Sequence, residues 1–516
     1  MKSSSTVNYR RYFLFFFIAG IFAFSTNISH LILDSNFLFH EGEYVGSLWS
    51  IRSFYIGESL FPLLIHGAMD YIPSIIASFI YGDDRIIVGV RGINTVIVWV
   101  CWVFFLDLCY SISLKSNRFL WGAIAFVVFI FLAPVFRSQA LIVQMSFLGV
   151  RDLFVILTVW CFVQYTTSVN LLRTRILLIL GTISAVTALF WSYDRGIMTL
   201  SFLSVIFVGM LVNKKYFDVA LSILTACLFL LTLESVNIFG SLASNLYNII
   251  YWIKNSAEVF GAYNSVDKRS LIIVTLLILL LMATIFIAFT ERFYKDKENL
   301  FLTIGIFMIQ IVLFKTIMNA PEMPRLAWFI WPSILLLIYF SSRKMMDFRL
   351  DYKLSFSRTI PISVIYKIYF LIFAICICSI SSVFYVYGSF FKNLVNPKLD
   401  IEIVSKEVNE LGDLLRKNND ACVLGWVNEG VIALMSKKRS CTQSPYAVYV
   451  SKSEELKYLQ QIKNDPPAAV VFDVGGDNVM FVHGIHMESR LPNVNKYIQD
   501  NYPNKQQVGR YIVLSK

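Results

Sequence analysis

The sequence predicts a polytopic α-helical membrane protein that ends in a small α/β domain. Three observations point to this class: a series of long apolar segments, basic residues gathered in alternate loops, and a more polar region after about residue 390. Of the 516 residues, 57% are hydrophobic and 15% are charged, and the mean hydropathy is +0.64. Because soluble domains carry roughly a quarter of charged residues, this composition excludes an ordinary soluble protein.

About eleven apolar segments are long enough to be membrane spans, because roughly 20 apolar residues are needed to cross the hydrocarbon layer. The first segment follows a basic stretch and lacks the small residues of a cleavage site, so we expect an uncleaved anchor and not a signal peptide. We predict spans near residues 11–29, 86–110, 119–136, 152–168, 176–191, 197–212, 217–236, 271–290, 300–318, 326–341 and 362–388.

Lysine and arginine residues gather in every second loop, which the positive-inside rule places in the cytoplasm. We therefore expect a multi-pass protein of a bacterial inner (plasma) membrane, with a cytoplasmic amino terminus and a periplasmic or extracellular tail. These flanks and the tail account for the net charge of +11, so no nucleic-acid partner is indicated. The basic positions are Lys2, Arg10, Arg11, Lys115, Arg118, Arg173, Arg175, Lys214, Lys215, Arg292, Lys295, Lys297 and the run from Arg343 to Arg358.

We expect two domains, a membrane domain over 1–390 with a large first outer loop at about 30–85, and a soluble extracytoplasmic α/β domain over 391–516. Pro62, Gly67 and Pro73 interrupt the apolar run of that loop, which suits short helices in the membrane interface or a re-entrant packing element. In the tail, the periodicity predicts helices near 399–417, 428–436, 452–463 and 491–502 and strands at 421–425, 468–473 and 509–515.

Cysteine placement agrees with an outer tail. Six of the eight cysteines lie in predicted spans, where cysteine usually acts as a small buried apolar residue. Only Cys422 and Cys441 lie in the tail, and a lone pair in an oxidising compartment commonly forms a disulfide. We predict that disulfide in preference to a zinc site, for which two cysteines supply too few ligands.

The first outer loop carries a cluster of acidic and aromatic residues close to the outer end of the first span. Carboxylates so near a membrane are costly unless they are solvated, paired or functional. Ordinary surface acids in a wet loop are the alternative, but apolar residues crowd both sides of the cluster, and Gly42 would let the backbone approach a neighbour closely. The cluster consists of Asp34, His40, Glu41, Glu43 and Tyr44.

A second set of charged and aromatic residues lies at the predicted outer ends of the later spans. Each of them alone is also explained as a membrane-edge anchor or a local salt bridge. Together they place guanidinium groups, which grip phosphate oxygens in two places, on the same face as the acidic cluster. The set consists of Arg91, the pair Arg151 and Asp152, Tyr193, Asp194, Arg195, Glu322 and Arg325.

This combination suits the transfer of a sugar from a lipid-linked phosphate. A carboxylate within hydrogen-bond reach of an acceptor hydroxyl can take its proton as the oxygen attacks the anomeric carbon. Arginines can stabilise the charge that develops on the departing phosphate. The sequence has no GxxxxGK[ST] loop, and residues 473–478 lack the GxGxxG spacing of dinucleotide folds, so nucleotide-driven chemistry is not indicated.

With an inside amino terminus, an acidic first outer loop, many spans and an outer α/β tail, the sequence resembles the GT-C superfamily of membrane glycosyltransferases. Its relatives there include the protein O-mannosyltransferases and the aminoarabinose lipid A transferases. Family members generally carry an adjacent acidic pair in that loop, whereas here Gly42 separates Glu41 from Glu43. The tail segments 427–446, 466–473 and 491–502 are also similar to tails of bacterial members.

The resemblance implies a polyprenyl-phosphate sugar as donor, a glycan, lipid or protein as acceptor, and inversion at the anomeric carbon. It implies Glu41 or Glu43 as the general base and Asp34 as a further candidate, with the second glutamate orienting the acceptor or a metal ion. A carboxylate pair could hold a divalent cation with water, but nothing in the sequence requires one. The residues expected to bind substrate are His40, Tyr44, Arg91, Tyr193, Asp194, Glu322 and, for the phosphate, Arg195 and Arg325.

Other classes of protein share parts of this pattern. A transporter or flippase of lipid-linked substrates also has many spans, but its site lies near the bilayer midplane, often between repeated halves. A scaffold protein anchored in the membrane would not need so many spans. An O-antigen polymerase or ligase uses lipid-linked substrates but usually carries its large outer loop late in the membrane domain. The loop order in this sequence favours the transferase.

Overall fold

The computed structural model describes a large part of both predicted domains. The predicted spans near 119–136, 271–290 and 362–388 lie outside the described residues, and those near 11–29 and 326–341 are described only in short pieces. The described residues are 12–13, 15–20, 38–112, 149–237, 239–259, 297–318, 331–333, 335–336, 395–417, 422–426, 430–473, 481–482 and 485–516.

The first outer loop folds into short helices, as its broken apolar run predicts. These are α1 (Leu38–Val45), α2 (Leu48–Tyr55) and α3 (Ile72–Tyr81), with a 3₁₀ turn at Ala68–Asp70. In α3, the side chain of Phe79 is 91% exposed. An apolar side chain so exposed on a short helix is typical of a helix that lies in a membrane interface.

Four helices among the described residues are long and apolar enough to cross a membrane. They are α4 (Ile86–Ile112), α6 (Leu171–Trp191), α7 (Tyr193–Val212) and α8 (Tyr216–Val236), while the shorter α5 (Leu153–Thr167) packs between α4 and α6. A sixth apolar helix of the bundle, α10 (Lys297–Met318), packs against α7. All six correspond to predicted spans.

Two of these helices begin earlier than the apolar pattern predicts. Helix α6 begins at Leu171 and not near 176, because the side chain of Asn170 accepts a hydrogen bond from the backbone N–H of Arg173 and caps the helix. Helix α7 begins at Tyr193 and not near 197, with only Ser192 between it and α6. Charged residues therefore lie within the first turns of both helices.

A helix, α9 (Leu242–Val259), lies in the segment between the spans predicted near 217–236 and 271–290. One of its faces carries aromatic and amide side chains that contact the first outer loop and the tail. The indole nitrogen of Trp252 donates to the carbonyl oxygen of Leu64 at 2.7 Å, and Asn248 Nδ2 donates to the carbonyl oxygen of Pro62 at 3.3 Å. Helix α9 therefore contacts both the first outer loop and the tail.

The tail contains a four-stranded sheet in the order β1-β2-β6-β5. Strand β1 pairs with β2 in parallel, and the other pairs are antiparallel. The predicted strands correspond to β1 (Val423–Gly425), β2 (Ala469–Asp473) and β6 (Tyr511–Ser515). The predicted helices correspond to α11 (Asp400–Ile403) with α12 (Lys406–Arg416), α13 (Gly430–Ser436), α14 (Glu455–Asn464) and α16 (Pro492–Asn501).

The tail has three strands and one short helix that the sequence pattern does not reveal. The edge strand β5 (Asn504–Val508) is polar and mostly exposed, so it lacks the apolar alternation of a strand. The hairpin of β3 (Phe481–Val482) and β4 (Ile485–His486) and the helix α15 (Met487–Arg490) are too short to produce a periodic signal.

The tail is docked onto the membrane domain. Helix α13 packs against α1 of the first outer loop. The carboxylate of Asp400 accepts hydrogen bonds from the backbone N–H groups of Ile86, at 3.0 Å, and Ile87, at 2.9 Å. Because the first N–H groups of a helix have no partner within it, a residue of the tail here caps a membrane helix.

A disulfide joins Cys422 and Cys441, the two cysteines that the sequence pairs, with their Cα atoms 5.0 Å apart. It ties the beginning of β1 to the segment after α13, and the two cysteines are 19 positions apart in the chain. The segment that docks on the first outer loop is therefore held to the sheet by a covalent bond.

We expect Cys441→Ser to lower the free energy of unfolding of the tail by about 3 kcal/mol, because a loop of this length then regains its freedom in the unfolded chain. Thermal unfolding of the purified protein in detergent measures the change. The matched control is Cys227→Ser, since Cys227 is a free, exposed cysteine of α8. Equal unfolding temperatures of the two variants under oxidising conditions would contradict the expectation.

Candidate functional site

Four separate parts of the chain meet at one end of the helix bundle, beneath the tail. The backbone N–H of Tyr193 donates to the carbonyl oxygen of His66 at 2.7 Å, which joins the start of α7 to the first outer loop. The indole nitrogen of Trp191 donates to the carbonyl oxygen of Val150 at 2.8 Å, which brings in the turn before α5. Segments that the sequence predicts to lie outside are thus at the same end.

Gly67 makes part of this junction possible. Its φ is +131°, and a Cβ atom there would lie 2.6 Å from the carbonyl oxygen of Phe190 and 2.7 Å from that of Trp191. Only glycine readily adopts this backbone conformation and leaves room for such an approach. The first outer loop can therefore rest directly on the end of α6.

A buried ion network fixes the start of α5 to the start of α7. Arg195 Nε lies 2.7 Å from Asp152 Oδ1, and Arg195 Nη1 lies 2.9 Å from Asp194 Oδ2. The side chain of Arg195 is only 1% exposed. The sequence predicts that Arg195 binds phosphate. In the structure its guanidinium group contacts two carboxylates.

Arg151 lies near three further charged groups, those of Asp194, Asp70 and Glu43. Its Nη1 atom is 3.4 Å from Asp194 Oδ2, a looser contact than those of Arg195. Burial alone would lower the pKa of Arg151, but the nearby charges of Asp194, Asp70 and Glu43 raise it, so the guanidinium group stays charged. The sequence places Arg151 in the outward set without a role of its own.

Tyr44 lies beside this guanidinium group. Its hydroxyl forms a hydrogen bond with Arg151, and its ring stacks on that of His66 with the centroids 5.9 Å apart. Burial raises the pKa of Tyr44 well above its usual range, so the hydroxyl keeps its proton and can donate a hydrogen bond.

Glu43 is a buried carboxylate of the same cluster, with its side chain 1% exposed. Its Oε1 atom accepts a hydrogen bond from the hydroxyl of Tyr449, a tail residue, at 2.5 Å. Positions 41 and 43 both lie in α1, where residues two apart point about 200° away from each other. The Glu43 carboxylate is therefore part of this cluster.

His66 and Asp70 of the first outer loop form a buried pair to which the sequence assigns no functional role. Their Nδ1 and Oδ1 atoms are 2.7 Å apart, and Asp70 Oδ2 also accepts from the backbone N–H of His66 at 2.8 Å. The four-residue spacing of a histidine and an aspartate in this apolar stretch is a signal that could have suggested the pair. The carboxylate fixes the orientation of the imidazole ring.

The other predicted site residues are distributed as follows. Tyr193 is buried, and its hydroxyl accepts from Asn248 Nδ2 at 3.1 Å, so it packs α7 against α9. Arg91 is buried in the second turn of α4. Asp34, Glu322 and Arg325 lie outside the described residues. Only the backbone is described for His40 and Glu41.

The described residues contain no group of three or more His, Cys, Asp and Glu side chains arranged to hold a metal ion. Each of the four carboxylates in the cluster forms a hydrogen bond or ion pair with a guanidinium, imidazole or hydroxyl group of the protein. They are Glu43, Asp70, Asp152 and Asp194.

The tail closes over the acidic helix α1 by a contact between two glycines. A Cβ atom on Gly42 would lie 2.9 Å from the backbone nitrogen of Gly430, and the hydroxyl of Tyr446 donates to the carbonyl oxygen of Gly42 at 3.2 Å. Gly42 is the residue that the sequence singles out for a close backbone approach. Its partner is helix α13 of the tail.

The architecture is similar to that of solved membrane proteins. An oligosaccharyltransferase from Archaeoglobus fulgidus, tethered to an acceptor peptide with the NVT sequon, has a TM-score of 0.50 and 12% sequence identity, over 97% of this chain and 73% of that one. ArnT from Cupriavidus metallidurans, bound to undecaprenyl phosphate, has a TM-score of 0.43 and 11% identity, over 98% and 97%. No protein-family model matches the sequence, and no curated protein matches it.

At this identity, the similarity to the oligosaccharyltransferase shows the fold. The chain therefore shares the fold of this oligosaccharyltransferase.

We expect Gly430→Ala to loosen the docking of the tail, because the added methyl group would collide with the carbonyl oxygen of Gly42. Limited proteolysis of the purified protein should then release tail fragments that the wild-type protein does not release. Lys496→Ala is the control, since Lys496 is an exposed residue of the tail helix α16. An unchanged digestion pattern for Gly430→Ala would contradict the contact.

Proposed function

We propose that the protein is a glycosyltransferase of a bacterial inner membrane, which moves a sugar from a polyprenyl-phosphate donor to an envelope acceptor on the extracytoplasmic face. The observation that carries the proposal is the burial of the Glu43 carboxylate beside the charged Arg151, at the end of the bundle that the tail covers. A base and a phosphate-binding cation are the two groups that such a transfer needs in one place. The GT-C fold supports the same assignment.

Glu43 would act as the general base. As the acceptor hydroxyl oxygen forms a bond to the anomeric carbon, its proton passes to a carboxylate oxygen of Glu43, and the bond from that carbon to the phosphate oxygen breaks. The lipid phosphate leaves with the electron pair of that bond. Attack on the side opposite the phosphate inverts the configuration of the anomeric carbon.

Arg151 would bind the phosphate of the donor. Its contact with Asp194 is loose at 3.4 Å, so a phosphate oxygen can replace or share it, whereas Arg195 is fixed by shorter contacts. The phosphate needs more positive charge than one guanidinium group supplies, and Arg91 and Arg325 are the predicted sources. The protonated hydroxyl of Tyr44 can donate a further hydrogen bond.

The position of the cluster argues against a transporter or flippase. Transporters bind substrate near the middle of the membrane, at interrupted helices. Here the charges lie at the first residues of α7 and in the 3₁₀ turn before α5, and both helices continue without interruption. The arrangement favours chemistry at the membrane surface.

We expect Glu43→Gln to lower the rate of transfer at least about a hundredfold, because an amide cannot take the proton of the acceptor. Cells that lack the gene are complemented with the wild-type gene or the variant, and their envelope glycans and glycolipids are compared by mass spectrometry. The sugar residue that is missing from the glycans or glycolipids of the deletion strain should also be missing from cells that carry Glu43→Gln.

The matched control for this variant is Glu58→Gln, which changes an exposed glutamate of the same loop. It should restore the product fully. Both variants must reach the membrane in equal amounts, as shown by immunoblotting. Normal product levels with Glu43→Gln would remove Glu43 as the base.

We expect Arg151→Lys to weaken the binding of undecaprenyl phosphate about tenfold, because lysine keeps the charge but loses the two-pronged grip on phosphate oxygens. The readout is the concentration of undecaprenyl phosphate that gives half of the maximal rise in unfolding temperature. The lysine is chosen because alanine would leave buried carboxylates without a partner and endanger folding.

Arg173→Lys is the matched control, since Arg173 is exposed at the other end of the bundle. It should bind the lipid as the wild-type protein does. If Arg151→Lys unfolds as a single transition and responds to undecaprenyl phosphate at the wild-type concentrations, Arg151 does not contact the phosphate.

A further inference from the structure

A histidine and an aspartate are buried together within the apolar stretch of the first outer loop. Both carboxylate oxygens of Asp70 accept hydrogen bonds from His66, one from its backbone N–H and one from Nδ1. An aspartate that accepts from Nδ1–H fixes the tautomer of an imidazole and stabilises its protonated form. Of the two ring nitrogens, Nε2 is then the one through which His66 can donate to a ligand.

The imidazole of His66 lies near the guanidinium group that we propose for the donor phosphate. Its ring stacks on Tyr44, whose hydroxyl forms a hydrogen bond with Arg151. Its backbone carbonyl oxygen accepts from the N–H of Tyr193, which fixes His66 at the start of α7. Asp194 contacts Arg151 at 3.4 Å, and its carboxylate also interacts with the positive charge of His66. Arg151 and His66 therefore lie beside the same carboxylate.

That carboxylate, of Asp194, is the open edge of the charged cluster. The side chain of Asp194 is 28% exposed, and those of Arg151 and His66 are 9% and 8% exposed. The side chains of Arg195 and Asp152, which form the deeper ion pair, are 1% and 2% exposed. A phosphate that enters at this edge would therefore meet Arg151 and His66 before it meets Arg195.

The proposed transfer increases the negative charge that the site must hold. The phosphate of the donor is a singly charged diester, whereas the phosphate that leaves is a monoester with a charge of about −2. Cations that are already in place stabilise such a developing charge better than water does. Arg151 supplies one positive charge at the open edge, and a protonated His66 supplies another.

We propose that His66 is a second cationic ligand of the donor phosphate, and that its protonated imidazole donates a hydrogen bond from Nε2 to a phosphate oxygen beside Arg151. The inference rests on the proposed function and adds a residue to its phosphate site. Asp70 is a positioning residue, because it contacts the imidazole and not the phosphate. Since an imidazole changes its charge between about pH 5 and pH 8, lipid binding should depend on pH.

The other titratable and charged groups near this imidazole come from the elements packed around it. Burial raises the pKa of Tyr44 and of Tyr446 well above the usual range for tyrosine, and the guanidinium group of Arg151 stays charged. The neighbouring carboxylates are those of Asp70, Glu43 and Asp194. A pH dependence that disappears together with the imidazole is therefore assigned to His66 and not to these groups.

The test measures lipid binding at two pH values. The probe is the methyl ester of undecaprenyl phosphate, a diester whose own charge does not change in this range. From about pH 8 to about pH 6, the concentration that gives half of the maximal rise in unfolding temperature should fall about tenfold, because the site gains a charged donor. Each value is compared with the lipid-free, full-length protein at the same pH.

The variant His66→Asn should bind the probe equally at both pH values. The asparagine amide can still donate to Asp70, but it has no atom in the place of Nε2. In His66→Gln, the amide reaches the place of Nε2 without a charge, so its affinity should also be independent of pH. This second variant keeps the test valid if His66→Asn does not fold.

Lys406→Asn is the matched control, since it also replaces a cation by asparagine and the side chain of Lys406 is 90% exposed on the tail. It should keep the pH dependence of the wild-type protein. Equal affinities of the wild-type protein at both pH values would overturn the inference without any variant. A pH dependence that persists in His66→Asn or His66→Gln would overturn it as well.

The two proposals fail in different ways. If Glu43→Gln restores the product in cells while His66→Asn loses the pH dependence of lipid binding, the proposed base is wrong and His66 remains a ligand of the phosphate. If Glu43→Gln abolishes the product but His66→Asn binds the probe like the wild-type protein at both pH values, the proposed base stands and His66 does not bind the phosphate.

Discussion

The ion pair between Arg195 and Asp152 is the constraint on which the site depends. It joins the first residues of two neighbouring membrane helices, α5 and α7, inside a region with little access to water. Removing one partner of such a buried pair typically costs about 3–5 kcal/mol, because the other charge remains buried without compensation. Arg195 also contacts Asp194, and Asp194 in turn contacts Arg151, so the pair helps to fix where the proposed phosphate-binding group lies.

The tail covers this cluster and shields it from water. The glycine contact between Gly42 and Gly430 brings two helices together at backbone distance, and Tyr449 then reaches the carboxylate of Glu43. Charges act more strongly on one another when water is excluded, which benefits both a base and a phosphate-binding arginine. The tail thus covers the charged cluster and supplies a hydrogen bond to one of its carboxylates.

The sequence predicts the elements that depend on local patterns and misses what depends on packing. Apolar periodicity and charge placement identify the described spans and most of the tail, and Gly42 is recognised as a point of close approach. Helix α9 and strand β5 are missed because one combines polar and aromatic residues and the other is an exposed edge. Which carboxylates lie beside Arg151 and Arg195 depends on how α5 and α7 pack, and no spacing in the chain encodes that.

The contact between Tyr449 and Glu43 bears on how the acceptor enters. A tyrosine hydroxyl that donates to Glu43 Oε1 makes the same hydrogen bond that an acceptor hydroxyl must make before transfer. A carboxylate has about four lone-pair positions, so Tyr449 can remain bound while the acceptor uses another position. In that case Tyr449 holds the carboxylate in one orientation during proton transfer. Because the hydroxyl of Tyr251 donates to the backbone carbonyl oxygen of Tyr449, the position of Tyr449 beside Glu43 is itself held by α9.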